Sequence, residues 1–535
     1  MRRFQQVLCG ALAAALALMG AGCAAAEQTA AGSTPGSSGS APSPAASGPV
    51  KETPTESVNE TMNSESTGYR FFAKPEEGWV GDVMPFYDNG RYNLFYLQDW
   101  RDGAPQFHPF HLMTTENLTD YAWEKEMIPC GGLTEPDIAL GTGSVLKGRD
   151  GRYHAFYTGH NYNYPNEGKP KEAMMHAVSD DMQSWTKIPE DTITAPDGYE
   201  VNDFRDPYVF WCEDAQEYWM LVSARKDGYG VIALFSSQDL SEWTVREPLY
   251  APEKYFMLEC ADLFQFGDYW YLFFSEFDYE HSTHYRVAKS PYGPFEEPDI
   301  DMLDGRTFYA GKTGGTASER TLFGWIPTKS PAKDSGQWEW AGNMAALSLS
   351  QNQDGSLNAS LPASIRELFR PAAVPVEEAL SLTGNADWKD GILSLRPADG
   401  LAGATFGKVG DKMLIEADVT LAEGTTRAGF LTNYRENFEA GFGITLNQAE
   451  GTLNFASATL QFSKLLTDRS VVVPVRIPAG ESCHLEILIE QDIAVLYWNG
   501  QSAISTRMYN MPGSNWGFFA EDGGLTVENL TVSRL

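Results

Sequence analysis

Arg91-Tyr-Asn-Leu-Phe-Tyr96 is one short apolar strand entered through the turn Asp88-Asn-Gly90, and the chain repeats it. Arg152-Tyr-His-Ala-Phe-Tyr157, Glu217-Tyr-Trp-Met-Leu-Val222 and Asp268-Tyr-Trp-Tyr-Leu-Phe273 follow, with a looser fifth copy at Arg320-Thr-Leu-Phe-Gly-Trp325. The copies lie roughly 50 to 65 residues apart, a period that marks a radial or stacked repeat. A second unit trails several of them, Asp181-Met-Gln-Ser-Trp-Thr186 and Asp239-Leu-Ser-Glu-Trp-Thr244, with looser forms near Leu118 to Trp123 and Ser290 to Phe295. Short strands, Gly and Asn turns before them and no helical period together mean antiparallel sheet. Five copies of about four strands predict an all-β fold built on a five-bladed β-propeller, which buries strand edges by radial repetition. Unrelated hairpins in a sandwich are the competing arrangement.

Beyond the repeat the texture changes. Lys412-Met-Leu-Ile-Glu-Ala-Asp-Val-Thr420 and Cys483-His-Leu-Glu-Ile-Leu-Ile-Glu490 alternate apolar and polar residues, the period of a half-buried sheet. The expected organisation is a propeller over 69–358, a linker over 359–375 containing a short helix, and a C-terminal β-sandwich over 376–535. The sandwich is expected to be a packed structural partner, its acids such as Glu439 and Glu486 lying on solvated strand faces.

The N-terminus reads differently again. Arg2 and Arg3 precede an apolar run from Val7 to Met19, and small residues lead into Cys23. That order resembles a lipoprotein-type signal peptide over 1–23, with Cys23 the lipidated residue. Residues 24–68 are rich in Ser, Pro and Ala, with little to bury, and predict a flexible tether. The expected location is therefore extracellular, held to the membrane only through the lipid.

A formal net charge of −33 argues against nucleic acid and anionic lipid as partners and suits a neutral polymer. Cys130, Cys212, Cys260 and Cys483 are scattered, without CxxC or metal-ligand spacing, so neither a disulfide framework nor a metal is expected. No cofactor motif is present, and none is expected.

Chemistry enters where the repeats are overlaid. About ten to twelve residues before the aligned Tyr of three copies stands an acid in apolar company: Asp82 in Trp79-Val-Gly-Asp-Val-Met-Pro85, Asp206 in Phe204-Arg-Asp-Pro207, and Glu259 in Phe256-Met-Leu-Glu-Cys-Ala-Asp-Leu-Phe264. The second copy offers Gly143 or Ser144 there, and the fifth Phe308 to Ala310. Innermost strands of a propeller line its axis, so these acids should converge in one funnel. A buried carboxylate is costly unless paired; pairing with Arg205 is the structural explanation, and glycoside chemistry the functional one. There one acid attacks the anomeric carbon, a second protonates the leaving oxygen, and a third holds sugar hydroxyls.

At these residues the chain resembles glycoside hydrolase family 32, the invertases, levanases and inulinases. Trp79-Val-Gly-Asp-Val-Met-Pro85 is similar to the family's opening nucleophile block, Phe204-Arg-Asp-Pro207 to its RDP motif, and Glu259-Cys-Ala-Asp262 to its EC block. Gly143-Ser144, Phe308-Tyr309-Ala310, Gly324-Trp325 and Trp340-Ala-Gly342 fall in family-like order. The resemblance implies Asp82 as nucleophile, Glu259 as acid/base and Asp206 as the residue that binds fructosyl hydroxyls and stabilises the transition state. It implies Trp79, Ser144, Arg205, Tyr309 and Trp325 as substrate contacts, with Trp340 a further candidate. The family block reads WMNDPNG; here Gly81 replaces its first Asn, Met84 its second, and Leu97 stands where a Gln is usual. Side-chain amides are thereby lost at the subsite that grips the sugar.

Three readings follow. One is a retaining β-fructosidase or fructosyl transferase. Another is an inverting glycosidase of the five-bladed arabinanase and xylosidase type. A third is a lectin-like surface protein that binds glycan without cleaving it. Carboxyl separations of about 5–5.5 Å support retention and about 6.5–9.5 Å inversion.

Overall fold

The computed structural model describes residues 67–101, 108–398, 400–435, 438–461, 464–467 and 470–535. The signal peptide, Cys23 and the tether up to residue 66 lie outside the described residues.

Five blades succeed one another in chain order. Blade 1 comprises Trp79–Asp88, Arg91–Asp99, Phe110–Thr115 and Ala122–Ile128. Blade 2 comprises Ala139–Lys147, Tyr153–His160, Glu172–Ser179 and Thr186–Lys187, and blade 3 Phe204–Cys212, Glu217–Lys226, Tyr229–Ser237 and Thr244–Val245. Blade 4 has three strands, Glu259–Phe266, Tyr269–Glu276 and Ser282–Ala288, and the bridge Val287–Glu296 takes the place of a fourth. Blade 5 comprises Tyr309–Gly315, Arg320–Ser330, Gln337–Gln351 and Leu357–Ser360. Val80 pairs with Gly342, joining the last blade to the first. All pairings are antiparallel, and each repeated apolar strand is the second of its blade.

The hairpin signals act as their chemistry requires. Asn89 and Gly90 both take positive φ, the two-residue turn that matches strand twist. The second repeated unit is a side-chain-capped turn. Asp181 Oδ1 accepts from the amides of Gln183 and Ser184, and Asp239 Oδ1 from those of Ser241 and Glu242. Asn117 does the same in blade 1 for Thr119 and Asp120.

After the helix Ala363–Phe369, whose Ile365 and Phe369 are buried, come two eight-stranded antiparallel sheets. Their facing sides form one core that includes Trp498, Trp516, Phe430 and Ile487. A second core crosses from propeller to sandwich, joining Phe71, Phe264, Tyr285 and Phe369 to Leu414, Leu488, Val495 and Tyr497. One expectation is corrected here: Glu486 is buried, held by both Nε and Nη2 of Arg366, because its strand faces the helix rather than water.

Candidate active site

Every innermost strand carries a bulge at the same height. In blade 1, Gly81 faces Leu97 and Met84 faces Phe95, so Asp82 and Val83 share one partner position. The same step separates Arg205 from Tyr208, Glu259 from Asp262 and Tyr309 from Lys312. In blade 2 the extra residue is Thr142, between Gly141 and Gly143. Bulges bend a strand and re-aim its side chains. Asp206, Cys260 and Ala310 each take a φ between 55 and 59°, a left-handed conformation that non-glycine residues hold only where surroundings impose it.

The bulges define two tiers of residues around the axis. Gly81, Gly141, Arg205, Glu259 and Tyr309 make one; Asp82, Thr142, Asp206, Cys260 and Ala310 make the other. Two sequence expectations change accordingly. The blade 2 counterpart of the acids is Thr142, not Gly143 or Ser144. Glu259 stands one position before the place taken by Asp82 and Asp206, which belongs to Cys260.

The inner tier is closely bonded. Asp82 accepts from the Thr142 hydroxyl on one oxygen and from Trp325 Nε1 at 2.9 Å on the other. Asp206 Oδ2 accepts from the Cys260 amide at 3.0 Å, and its own amide donates to Thr158 Oγ1 at 2.8 Å. Cys260 Sγ lies 4.0 Å from Thr142 Oγ1 and 3.9 Å from Asp206 Oδ2. Burial pushes the Asp82 carboxyl up, the bonds from Thr142 and Trp325 oppose this, and the charge of Glu259 adds to it. Asp206 is likewise raised by burial, against the pull of Arg205 and with the repulsion of Glu259 and Asp82. Asp206 thus feels both other acids across the axis.

Glu259 is held differently. Arg205 donates to its Oε1 from Nε at 3.1 Å and Nη2 at 2.8 Å, and the Tyr309 phenol donates to Oε2 at 2.8 Å. Arg205 therefore pairs with Glu259 rather than with its neighbour Asp206. Burial works against the Arg205 charge, but Glu259, Glu172 and Asp206 outweigh it. Glu259 is only half-buried, whereas Asp82 and Asp206 are buried.

Rings take the place of side chains at the two glycines of the outer tier. A Cβ on Gly81 would stand 2.2 Å from Trp340 Cη2, and one on Gly141 would stand 2.5 Å from His160 Nε2. Trp340 lies 6.2 Å from Trp325 and 4.5 Å from His108, centroid to centroid, and His281 stacks on Tyr309 at 4.5 Å. The missing family Asn at 81 is thus replaced by an indole wall. Met84 has no such bearing: it is buried between blades 1 and 2, its sulfur accepting from the Gly143 amide.

The other expected contacts divide. Tyr309, Trp325 and Arg205 join the acids. Ser144 does not: its hydroxyl donates to the Pro207 carbonyl at 3.0 Å and accepts from the Val209 amide at 2.9 Å, tying blade 2 to blade 3. Trp79 packs beside the Lys74, Arg101 and Arg507 cations at 5.0 to 5.8 Å. Thr142 and His281 were missed. Aligning the repeats on the bulge rather than on the downstream Tyr would have exposed Thr142.

Three carboxylates meeting on a propeller axis, one of them beside a guanidinium and a phenol at the open side, are the equipment of a glycosidase. The model of the glycosyl hydrolases family 32 N-terminal domain matches residues 72–357, over half the chain, and the chain belongs to that family. It is similar to the levanase of Bacillus subtilis (strain 168), 23% identical over 510 residues, which cover 86% of this chain and 69% of that one. A fructan 1-exohydrolase of Aegilops tauschii is 30% identical over 213 residues, 37% of this chain and 34% of the relative's length. Among solved structures, sucrose-6-phosphate hydrolase from Lactobacillus gasseri superposes with a TM-score of 0.67 at 18% identity, covering 88% of this chain and 94% of that one. That likeness bears on the fold: a propeller followed by a sandwich.

Proposed function

We propose that the protein hydrolyses β-fructosidic bonds in fructans or fructo-oligosaccharides by double displacement with retention. The observation that carries this reading is the meeting of Asp82, Asp206 and Glu259 on adjacent tiers of the axis, in a member of family 32. Asp82, steadied by Thr142 and Trp325, attacks the anomeric carbon of the fructosyl unit. Glu259 gives its proton to the glycosidic oxygen, the C–O bond breaks, and the alcohol leaves as a covalent fructosyl ester forms on Asp82. Glu259, now the base, takes a proton from water; the hydroxyl attacks the same carbon and frees Asp82. Asp206, fixed by the Cys260 amide, accepts bonds from ring hydroxyls and offsets the positive charge that develops on the sugar.

The order of charged start, apolar run and small residues before Cys23, with the polar tract after it, supports export and a lipid anchor. Surface attachment suits a polymer that does not enter the cell.

Purified protein incubated with sucrose, inulin and levan tests the reading. Released fructose with retained configuration at first appearance is expected. Asp82→Ala should abolish turnover with folding intact. Glu259→Gln should slow it least on substrates whose leaving group needs no protonation. Inverted product would favour the arabinanase-type mechanism, and no hydrolysis of any fructoside would sink the reading.

A further inference from the structure

The end of the propeller that carries the acids also carries a cluster of exposed rings. Phe256, Phe277 and Tyr279 are 41%, 40% and 64% exposed. They lie in the loops just before Glu259 and just after the second strand of blade 4. Phe256 and Phe277 stand 5.8 Å apart, centroid to centroid, and Tyr279 meets the buried Tyr255 edge-on at 5.6 Å. Leaving such rings wet forgoes their hydrophobic contribution to folding, and clustered exposed apolar surface marks a binding surface.

The cluster is also rigid. The Arg225 guanidinium lies 3.9 Å from the Phe256 centroid and is itself fixed by Glu200 and Asp203. The Phe256 amide donates to Asp278 Oδ2 at 2.9 Å. Glu276, fully buried, accepts from the amides of Asp278, Tyr279 and Glu280 at 2.6 to 3.0 Å. One carboxylate thus organises the whole turn that presents Phe277 and Tyr279. At its far end His281 stacks on Tyr309, which bonds Glu259. The turn that presents the rings thus reaches the acid through His281 and Tyr309.

We infer that Phe256, Phe277 and Tyr279 form a preformed platform for the leaving side of the substrate, on which sugar units beyond the first departing one stack. The inference rests on the proposed function, because the group that protonates the departing oxygen sets the side on which the rest of the chain must lie. Furanose units present apolar C–H faces to aromatic planes, and rings already held in place lose little freedom on binding. The occupant is therefore the departing part of a fructan or fructo-oligosaccharide.

The test compares wild type, Phe256→Ala/Phe277→Ala and Tyr279→Ala on sucrose and on inulin oligosaccharides of increasing length. The expected result is a fall in kcat/KM of about tenfold on the longer oligosaccharides, carried by KM, with sucrose changed less than twofold. Phe256→Tyr/Phe277→Tyr should keep the preference for length. A loss equal on all substrates, or none on any, would overturn the platform while leaving the fructosidase reading in place. Unchanged kinetics with an altered oligomeric state would instead make the rings a contact between copies. Wild type inactive on every fructoside removes the platform together with the function it rests on.

Discussion

In the proposed mechanism Asp82 acts as an anion in a buried place, and the two bonds it accepts favour that anion. Thr142 supplies one of them, and burial pulls the other way. Removing the hydroxyl by Thr142→Val therefore raises the Asp82 pKa, since a bond to the charged form favours it. If Asp82 is the nucleophile, it is lost by protonation as pH falls, so the acidic limb of kcat/KM should move upward. An unmoved limb would show that Thr142 does not steady Asp82. Gly81 allows a second test. Asn is usual there in the family, but a side chain would meet the Trp340 ring, which is fenced by His108 and Trp325. Gly81→Asn should therefore lower both Tm and kcat/KM, with an overpacking cost of about 1–3 kcal/mol. Gly81→Asn/Trp340→Ala should recover part of both, and a fully active single variant would refute the wall. Because Met84 packs between blades, only the lost amide at 81 would bear on a sugar in the proposed site, a deficit of about 0.5–1.5 kcal/mol rather than twice that.

At the scale of the strand, the three acids were legible because a carboxylate in an apolar run is conspicuous. Thr142 was not, since a hydroxyl among Gly, Leu and Ser is ordinary. The offset of Glu259 from Asp82 and Asp206 was also hidden, because register exists only between paired strands. The ends of strands carry a further consequence. His284, on the third strand of blade 4, lies between Asp301 at 2.9 Å and Glu276 at 3.5 Å. Burial opposes its charge, but these acids outweigh that and raise it to about 9 from 6.5. A group whose folded pKa is raised contributes fully below its unfolded value and loses the contribution as pH climbs through the folded one. The contribution, on the order of 3 kcal/mol, should therefore fade between pH 6.5 and 9. Tm should fall across that window, while His284→Gln should start lower at pH 6.5 and fall less. Equal slopes would rule out His284 as the source.

For the whole molecule, the question is whether the sandwich merely accompanies the propeller. A period of two in its strands announced a sheet, but no sequence pattern says what the outer face of that sheet touches. The described contacts do. Arg507, buried, donates from Nε to the Pro327 carbonyl at 2.9 Å and from Nη2 to the Ile326 carbonyl at 3.2 Å and to Asn343 Oδ1. Glu490 accepts from the amides of Arg70, Phe71 and Phe72 at 2.7 to 3.1 Å. Asp304 of the propeller accepts from the amide and hydroxyl of Ser505 at 3.0 and 2.6 Å. Each buried polar group stripped of its partner costs about 1–3 kcal/mol, against a total stability of about 5–15 kcal/mol for a typical domain. Deleting residues 376–535 would strip several at once and uncover the apolar core that the two parts share. The fragment 67–375 should therefore be insoluble and inactive, although every acid of the site lies within it. The intact chain should unfold in a single calorimetric transition, and Arg507→Met should lower that one Tm rather than split it. A soluble 67–375 with a cooperative transition of its own would show that the shared core is dispensable, and the sandwich would then need another reason to be there.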